Sequence, residues 1–179
     1  NWGGHTSVLV QDAGGVWYYF YWGNNERFLT EVTNPAAMSS LDNFNQWLHE
    51  YNQELGHATY NDNYDYATYI RGDFSDSVRF YVDVCNNPNV HYNLAFYNCL
   101  QASMDGINRG VLYDGTKVSD YLHGWAFGAQ PKTARAKINS AFYNGEFTYE
   151  KYWKTINDQL WVADVNNKPS RYRLRKLYY

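Results

Sequence analysis

The hydrophobic pattern changes period sharply at Asn98-Cys99, and that change limits how residues 91–110 can fold. Ahead of it, Tyr92, Leu94 and Phe96 alternate with smaller or polar residues, the two-residue repeat of a half-buried strand. Beyond it, Leu100, Ser103, Met104 and Ile107 recur at helical spacing, with Gly110 placed as a C-terminal cap. Asn98 is a favoured N-cap residue, so the pattern predicts a helix whose first residue is Cys99. A thiol there faces unpaired backbone N–H groups and the positive end of the helix dipole, and both favour the thiolate. The expectation is an acidic, nucleophilic cysteine, with the Cys99 N–H as oxyanion donor and Asn98 supporting that site. Such a nucleophile needs a base. His5, at the head of Thr6-Ser7-Val8-Leu9-Val10, is the candidate.

The chain in order supports a single α+β catalytic domain over residues 1–179. Residues 5–11 and 16–22 read as a β-hairpin, turned by Asp12-Ala13-Gly14-Gly15, whose second arm Val16-Trp17-Tyr18-Tyr19-Phe20-Tyr21-Trp22 is strongly β-prone. Arg27 to Thr33 is a third strand, stopped by Asn34-Pro35. A helix follows from Ser40 to Leu55, with Leu41, Phe44, Trp47, Leu48, Tyr51 and Leu55 on one face and Gly56 as stop. Residues 57–65 read as loop and Tyr66 to Arg71 as strand. Ser75-Asp76-Ser77 caps a helix through Val84, with a strand as competitor because Val78 to Val84 is rich in β-formers. A strand or loop at Val111 to Tyr113 leads into an Asp114-Gly115 turn. Helices are expected from Pro131 and over Tyr149 to Leu160, before an irregular tail.

Composition narrows the class. At 179 residues and 45% hydrophobic the chain can bury a core, which excludes a disordered polymer. Its 19 Tyr among 20% aromatic residues suit half-buried sheets, sugar grooves and protein interfaces. No apolar run approaches the length of a membrane helix and no basic-then-apolar leader is present, so no membrane span is expected. The start at Asn1-Trp2-Gly3-Gly4 reads as that of an excised or processed domain. Residues 1–130 hold 5 Lys/Arg against 14 Asp/Glu, and residues 131–179 hold 10 against 4. The basic end, densest at Arg171 to Lys176, reads as a solvated tail or edge strand. No nucleic-acid motif accompanies it, so no nucleic-acid partner is expected.

Cys85 and Cys99 admit a disulfide, a metal pair or two independent thiols. One histidine, His91, lies between them, which leaves zinc short of ligands, so no metal and no cofactor are expected. A disulfide would remove the nucleophile; Cys85 reads as packing or a spare thiol. His91 falls eight residues before Cys99, at the far end of the predicted strand and about 25 Å away. His49 falls on the polar side of its helix, and His57 and His123 sit in loop-like contexts.

Gly4-His5-Thr6 opening a strand, the aromatic hairpin, and Tyr92-Asn93-Leu94 leading into Asn98-Cys99 together resemble the circularly permuted papain-like hydrolases of the NlpC-type superfamily. That group includes the lecithin–retinol-acyltransferase-like enzymes, and its histidine strand precedes its cysteine helix, the reverse of papain's order. The resemblance covers about residues 3–24 and 66–110. It implies an antiparallel sheet packed against the nucleophile-bearing helix, and a Cys99/His5 dyad working through an acyl-enzyme. The group usually has a third polar residue orienting the histidine. The hairpin puts His5 opposite about Trp22, which leaves Tyr21, Asn24 and Asn25 as candidates.

The resemblance further implies an amide or peptide substrate in peptidoglycan or protein, with an acyl lipid or thioester next. Similar domains end bacterial Rhs-type polymorphic toxins. By that analogy the domain would be secreted or delivered into a target cell within a larger polypeptide, with an immunity protein covering its cleft. A second class fits the composition: a non-catalytic, aromatic-rich module binding carbohydrate or protein. It would have no use for a cysteine at a helix start.

Overall fold

A computed structural model describes residues 5–23, 26–57, 63–65, 67, 70, 72–112 and 115–120. These residues form a mixed α+β fold with three α-helices and two small antiparallel sheets. Asp12 organises the first hairpin: its Oδ1 accepts from the Val16 N–H at 2.9 Å, and its C=O accepts from the Gly15 N–H at 3.0 Å. Gly15 supplies the left-handed conformation the turn needs, at φ 84°. The hairpin joins β1 (Val8–Gln11) to β2 (Trp17–Trp22), and β2 pairs on its other edge with β3 (Arg27–Glu31). Val8 lies opposite Phe20, and Tyr21 opposite Phe28.

β2 is covered on both faces, which is why its apolar run is nearly unbroken. Strand alternation sends Phe20 and Trp22 to one layer and Tyr19 and Tyr21 to the other. The first layer holds Val8 and Val10 with Tyr81 and Val84 of α2 (Ser75–Asn86) and Leu100, Ala102 and Met104 of α3 (Cys99–Ile107). The second holds Leu41, Phe44 and Leu48 of α1 (Leu41–Glu54). Each large side chain so buried contributes roughly 1.5–3 kcal/mol. The three-stranded antiparallel sheet is therefore packed against the helix that begins at Cys99.

α2 is a helix despite its β-formers, because Ser77, Tyr81 and Val84 reach the core at helical spacing. Its cap differs from the expected one. Asp73 Oδ1 accepts from the Ser75 N–H, while the Ser75 hydroxyl accepts from the Ala13 N–H of the hairpin, both at 3.0 Å. Tyr81 then fastens α2 to α3. Its hydroxyl donates to the Ser103 C=O at 2.6 Å. Gly106 makes this approach possible, since a Cβ there would overlap the Tyr81 ring.

Four expectations are corrected. Residues 92–97 form a tight turn closed by an Asn93–Tyr97 bridge, not a strand. Asn93 Oδ1 accepts from the Ala95 and Phe96 N–H groups, competing with a strand ladder, and Leu94 and Phe96 are exposed. His91 is thus exposed ahead of a turn rather than at a strand's far end. Gly110 does not cap α3; it allows close approach of the Phe74 ring. Leu55 lies past the end of α1 and is exposed, so it leaves the apolar face.

The predicted strand at 66–71 falls largely outside the described residues. The pairing observed beside it joins β4 (Gly72–Asp73) to β5 (Val111–Leu112). The helices expected after Pro131 and the basic tail also lie outside them. Among the described residues no helix is long and apolar enough to cross a membrane.

Candidate active site

Asn98 fixes where α3 begins. Its backbone is extended, and its Oδ1 accepts from the Leu100 N–H at 3.0 Å and the Gln101 N–H at 3.1 Å. Its Nδ2 donates to the Leu94 C=O at 3.0 Å, which ties the preceding turn to the helix start. At the other side of the first turn, Ser103 Oγ donates to the Cys99 C=O at 2.6 Å. Cys99 is thereby held as the first helical residue, buried against the sheet.

The backbone N–H groups of Thr6, Leu100 and Cys99 itself and the Tyr92 hydroxyl lie near the Cys99 thiol. Each favours the thiolate, but burial outweighs them and pushes the thiol up. The expected acidic cysteine is corrected accordingly: the helix N-terminus is present, yet desolvation of the sulfur dominates at rest. Cys85 is half-buried and pushed up to about 11, again by burial, and both cysteines are free thiols.

His5 precedes β1 rather than heading it, and the strand register carried back to it reaches Gly23 instead of Trp22. Its ring lies 4.9 Å from that of Tyr21 and 6.2 Å from that of Tyr64. Burial lowers its pKa to about 4, so the imidazole is neutral at pH 7. The group on its Nε2 is Ser7 Oγ, at 3.0 Å. Ser7 Oγ also lies 2.5 Å from Tyr64 Oη and 3.3 Å from Tyr19 Oη, and the two phenol oxygens are 2.8 Å apart. Asn45 of α1 fixes Tyr64, accepting from its N–H at 3.0 Å and donating to its C=O at 2.9 Å.

Cys99 and His5 reach this place from different layers. The helix bearing Cys99 packs on the Phe20 face, whereas the His5 ring meets Tyr21, from the face covered by α1. The Thr6 N–H, next in sequence to His5, lies near the Cys99 thiol. Tyr21 spans both: its ring lies beside the imidazole, and burial, Tyr64 and the Cys99 charge, in that order, raise its hydroxyl to about 12.

Of the candidates for a third polar residue, Tyr21 lies against the His5 ring, and Asn24 and Asn25 fall outside the described residues. His49 is exposed on α1, His57 Nε2 lies 3.9 Å from Glu26, and His123 is outside the described residues. Sequence reasoning missed Thr6, Ser7, Tyr64 and Tyr92. Ser7 carried a usable signal, since residues two apart in an extended segment share a side. Tyr64 carried none. Among the described residues no cluster of three His, Cys, Asp or Glu is placed to hold a metal ion. No family model matches the chain, and neither curated proteins nor solved structures give a match.

Proposed function

We propose that this chain is a cysteine hydrolase or acyltransferase, with Cys99 as nucleophile and His5 as base, acting on an amide or peptide bond through an acyl-enzyme. The observation that supports the reading is a cysteine at a helix start whose thiolate is favoured by nearby backbone N–H groups and the Tyr92 hydroxyl, with a neutral histidine next in sequence to one of those groups, Thr6. Donors so arranged stabilise negative charge as it develops, first on sulfur and then on the oxygen of the attacked carbonyl.

A raised thiol and a lowered imidazole describe a neutral resting pair rather than a thiolate–imidazolium pair. The proton therefore moves as the bond forms. Cys99 Sγ attacks the substrate carbonyl carbon while its proton passes to His5, and the carbonyl oxygen takes the negative charge. Collapse of the tetrahedral intermediate expels the amine, which takes the proton from His5, and leaves a thioester on Cys99. Water, or an acceptor amine or alcohol, then gives up a proton to His5 and releases the acyl group.

The permuted papain-like arrangement belongs to the same proposal. Its support is the order of the parts: a histidine-bearing segment first, and a sheet-packed helix with an N-terminal cysteine later. Peptidoglycan stem peptides and proteins are the leading substrates, with acyl lipids or thioesters next. Delivery as a bacterial toxin, with an immunity protein as partner, rests on the resemblance alone.

The test is turnover of stem-peptide fragments, unstructured proteins and acyl esters by the unsubstituted chain and by Cys99→Ala. Loss of all turnover in a folded Cys99→Ala protein is the expected result. Full activity in that variant would discard the proposal.

A further inference from the structure

We infer that Arg27 is the positioning residue for the Tyr92 hydroxyl, keeping it beside Cys99 by gripping the turn just ahead of Tyr92 and by covering the Trp22 ring against which Tyr92 packs. The inference rests on the proposed role of Cys99 and names a residue that prepares its sulfur without touching it.

Strand register brings the parts together. Trp22 ends β2, Arg27 begins β3, and the two lie opposite each other. The guanidinium carbon of Arg27 sits over the Trp22 indole, 5.6 Å from the ring centre. Its Nη1 donates to the Val90 C=O and its Nη2 to the Asn87 C=O. Those carbonyls are the last and first of the turn Asn87-Pro88-Asn89-Val90, which the Val90 N–H closes on the Asn87 C=O at 3.2 Å. A planar guanidinium presents donors in a fixed fork that can serve two carbonyls at once, whereas an ammonium is a point charge. The segment between Asp83 and Asp105 contains no Asp, Glu, Lys or Arg, so the guanidinium that ties it down comes from β3.

Trp22 carries the hold onward. It is buried, and the Tyr92 ring meets it edge-on at 5.9 Å and the Tyr97 ring at 5.2 Å. These two tyrosines flank the tight turn in which Asn93 and Tyr97 exchange backbone hydrogen bonds at 2.8 and 2.9 Å. Tyr92 is therefore fixed from two sides: through the backbone at Val90, two residues upstream, and through its own ring on Trp22. Its hydroxyl lies near the Cys99 thiol and favours the thiolate.

The consequence is chemical. Burial works against the Cys99 thiolate, so each nearby donor counts. Releasing the fork frees the segment ahead of Tyr92 and uncovers Trp22, and the hydroxyl leaves the sulfur. The sulfur then loses a donor while its burial remains. Arg27 thus makes the nucleophile more reactive from a distance, through a loop and a ring rather than through its charge.

The test uses the full chain carrying Cys85→Ala, so that Cys99 is its one thiol, and reads the rate of alkylation by iodoacetamide at pH 7.5. Tyr92→Phe should lower that rate about three- to tenfold, the loss of one hydrogen bond. Arg27→Lys, which keeps the charge and loses the fork, should lower it by a similar factor, and the double variant should be no slower than Tyr92→Phe alone. Where Arg27→Lys does not fold, Arg27→Met, which keeps a side-chain stem over Trp22, is read the same way. A merely structural role for Arg27 would give the opposite sign, because loosening the loop opens a buried sulfur and speeds its alkylation. An unchanged or faster rate in a folded Arg27→Lys protein, or a further fall when it is added to Tyr92→Phe, overturns the inference. The measurement needs no turnover, so full activity in Cys99→Ala would discard the proposed function and leave these rates to decide the role of Arg27.

Discussion

The backbone N–H of Thr6 lies close enough to Cys99 to favour its thiolate, so the segment that carries His5 meets the helix that carries the thiol. The Tyr21 ring lies beside the imidazole, and the Tyr92 hydroxyl lies near the thiol. The meeting of the two segments makes the local order at residues 5–7 a determinant of the state of Cys99.

The first prediction concerns acid stability. Folding lowers the His5 pKa from its usual 6.5 to about 4. Between those values the unfolded chain binds a proton that the folded chain does not, so folding stability falls as pH falls. The contribution is complete above about pH 6.5 and gone below about 4, and amounts to up to about 3 kcal/mol. Urea unfolding from pH 7 to pH 4 should show this decline, and His5→Gln should flatten it. An unchanged slope in a folded His5→Gln protein would mean that the imidazole is not buried.

The second concerns the helix start. Asn98 Oδ1 satisfies two N–H groups, and its Nδ2 holds the turn through Leu94. Asn98→Ala should cost about 1 kcal/mol in denaturant unfolding and should speed hydrogen exchange at Leu100 and Gln101. Asn98→Ser should recover most of the loss, because a serine can cap but cannot reach Leu94 as an amide does.

The third concerns the junction of α2 and α3. Tyr81 is fully buried, and its hydroxyl donates to the Ser103 C=O. Tyr81→Phe would remove that buried hydrogen bond and should destabilise the fold by about 1 kcal/mol. Gly106→Ala would press a methyl group into the same ring and should cost about 1–3 kcal/mol or more. Thermal unfolding of the two variants checks both. Wild-type stability in Gly106→Ala would show that α2 and α3 are not in contact there.

What the sequence made legible was local. The hairpin is written in Asp12-Ala13-Gly14-Gly15 and the β-formers around it, and the start of α3 in Asn98, because turn and cap chemistry act within a few residues. The turn at 92–97 was not legible by alternation, since Asn93 draws two N–H groups into its own side chain and bends a segment that otherwise reads as strand. The raised thiol of Cys99 was hidden for another reason. Helix position is local, but burial depends on how the sheet and the turn at Tyr92 close over the sulfur. The Ser7–Tyr19–Tyr64 triangle was out of reach as well, because Tyr64 is placed by Asn45 across α1 and no periodicity marks it.

The central claim is that one sulfur, Cys99, is acylated with the help of one imidazole, His5. Treating the full chain at pH 7 with an activated acyl ester and mapping the modified peptide by mass spectrometry addresses it most directly. The account predicts the acyl group on Cys99 in the unsubstituted protein and in Cys85→Ala, and its absence in a folded His5→Ala protein. Acylation of Cys85 in preference to Cys99, or of Cys99 at the same rate without His5, would contradict it.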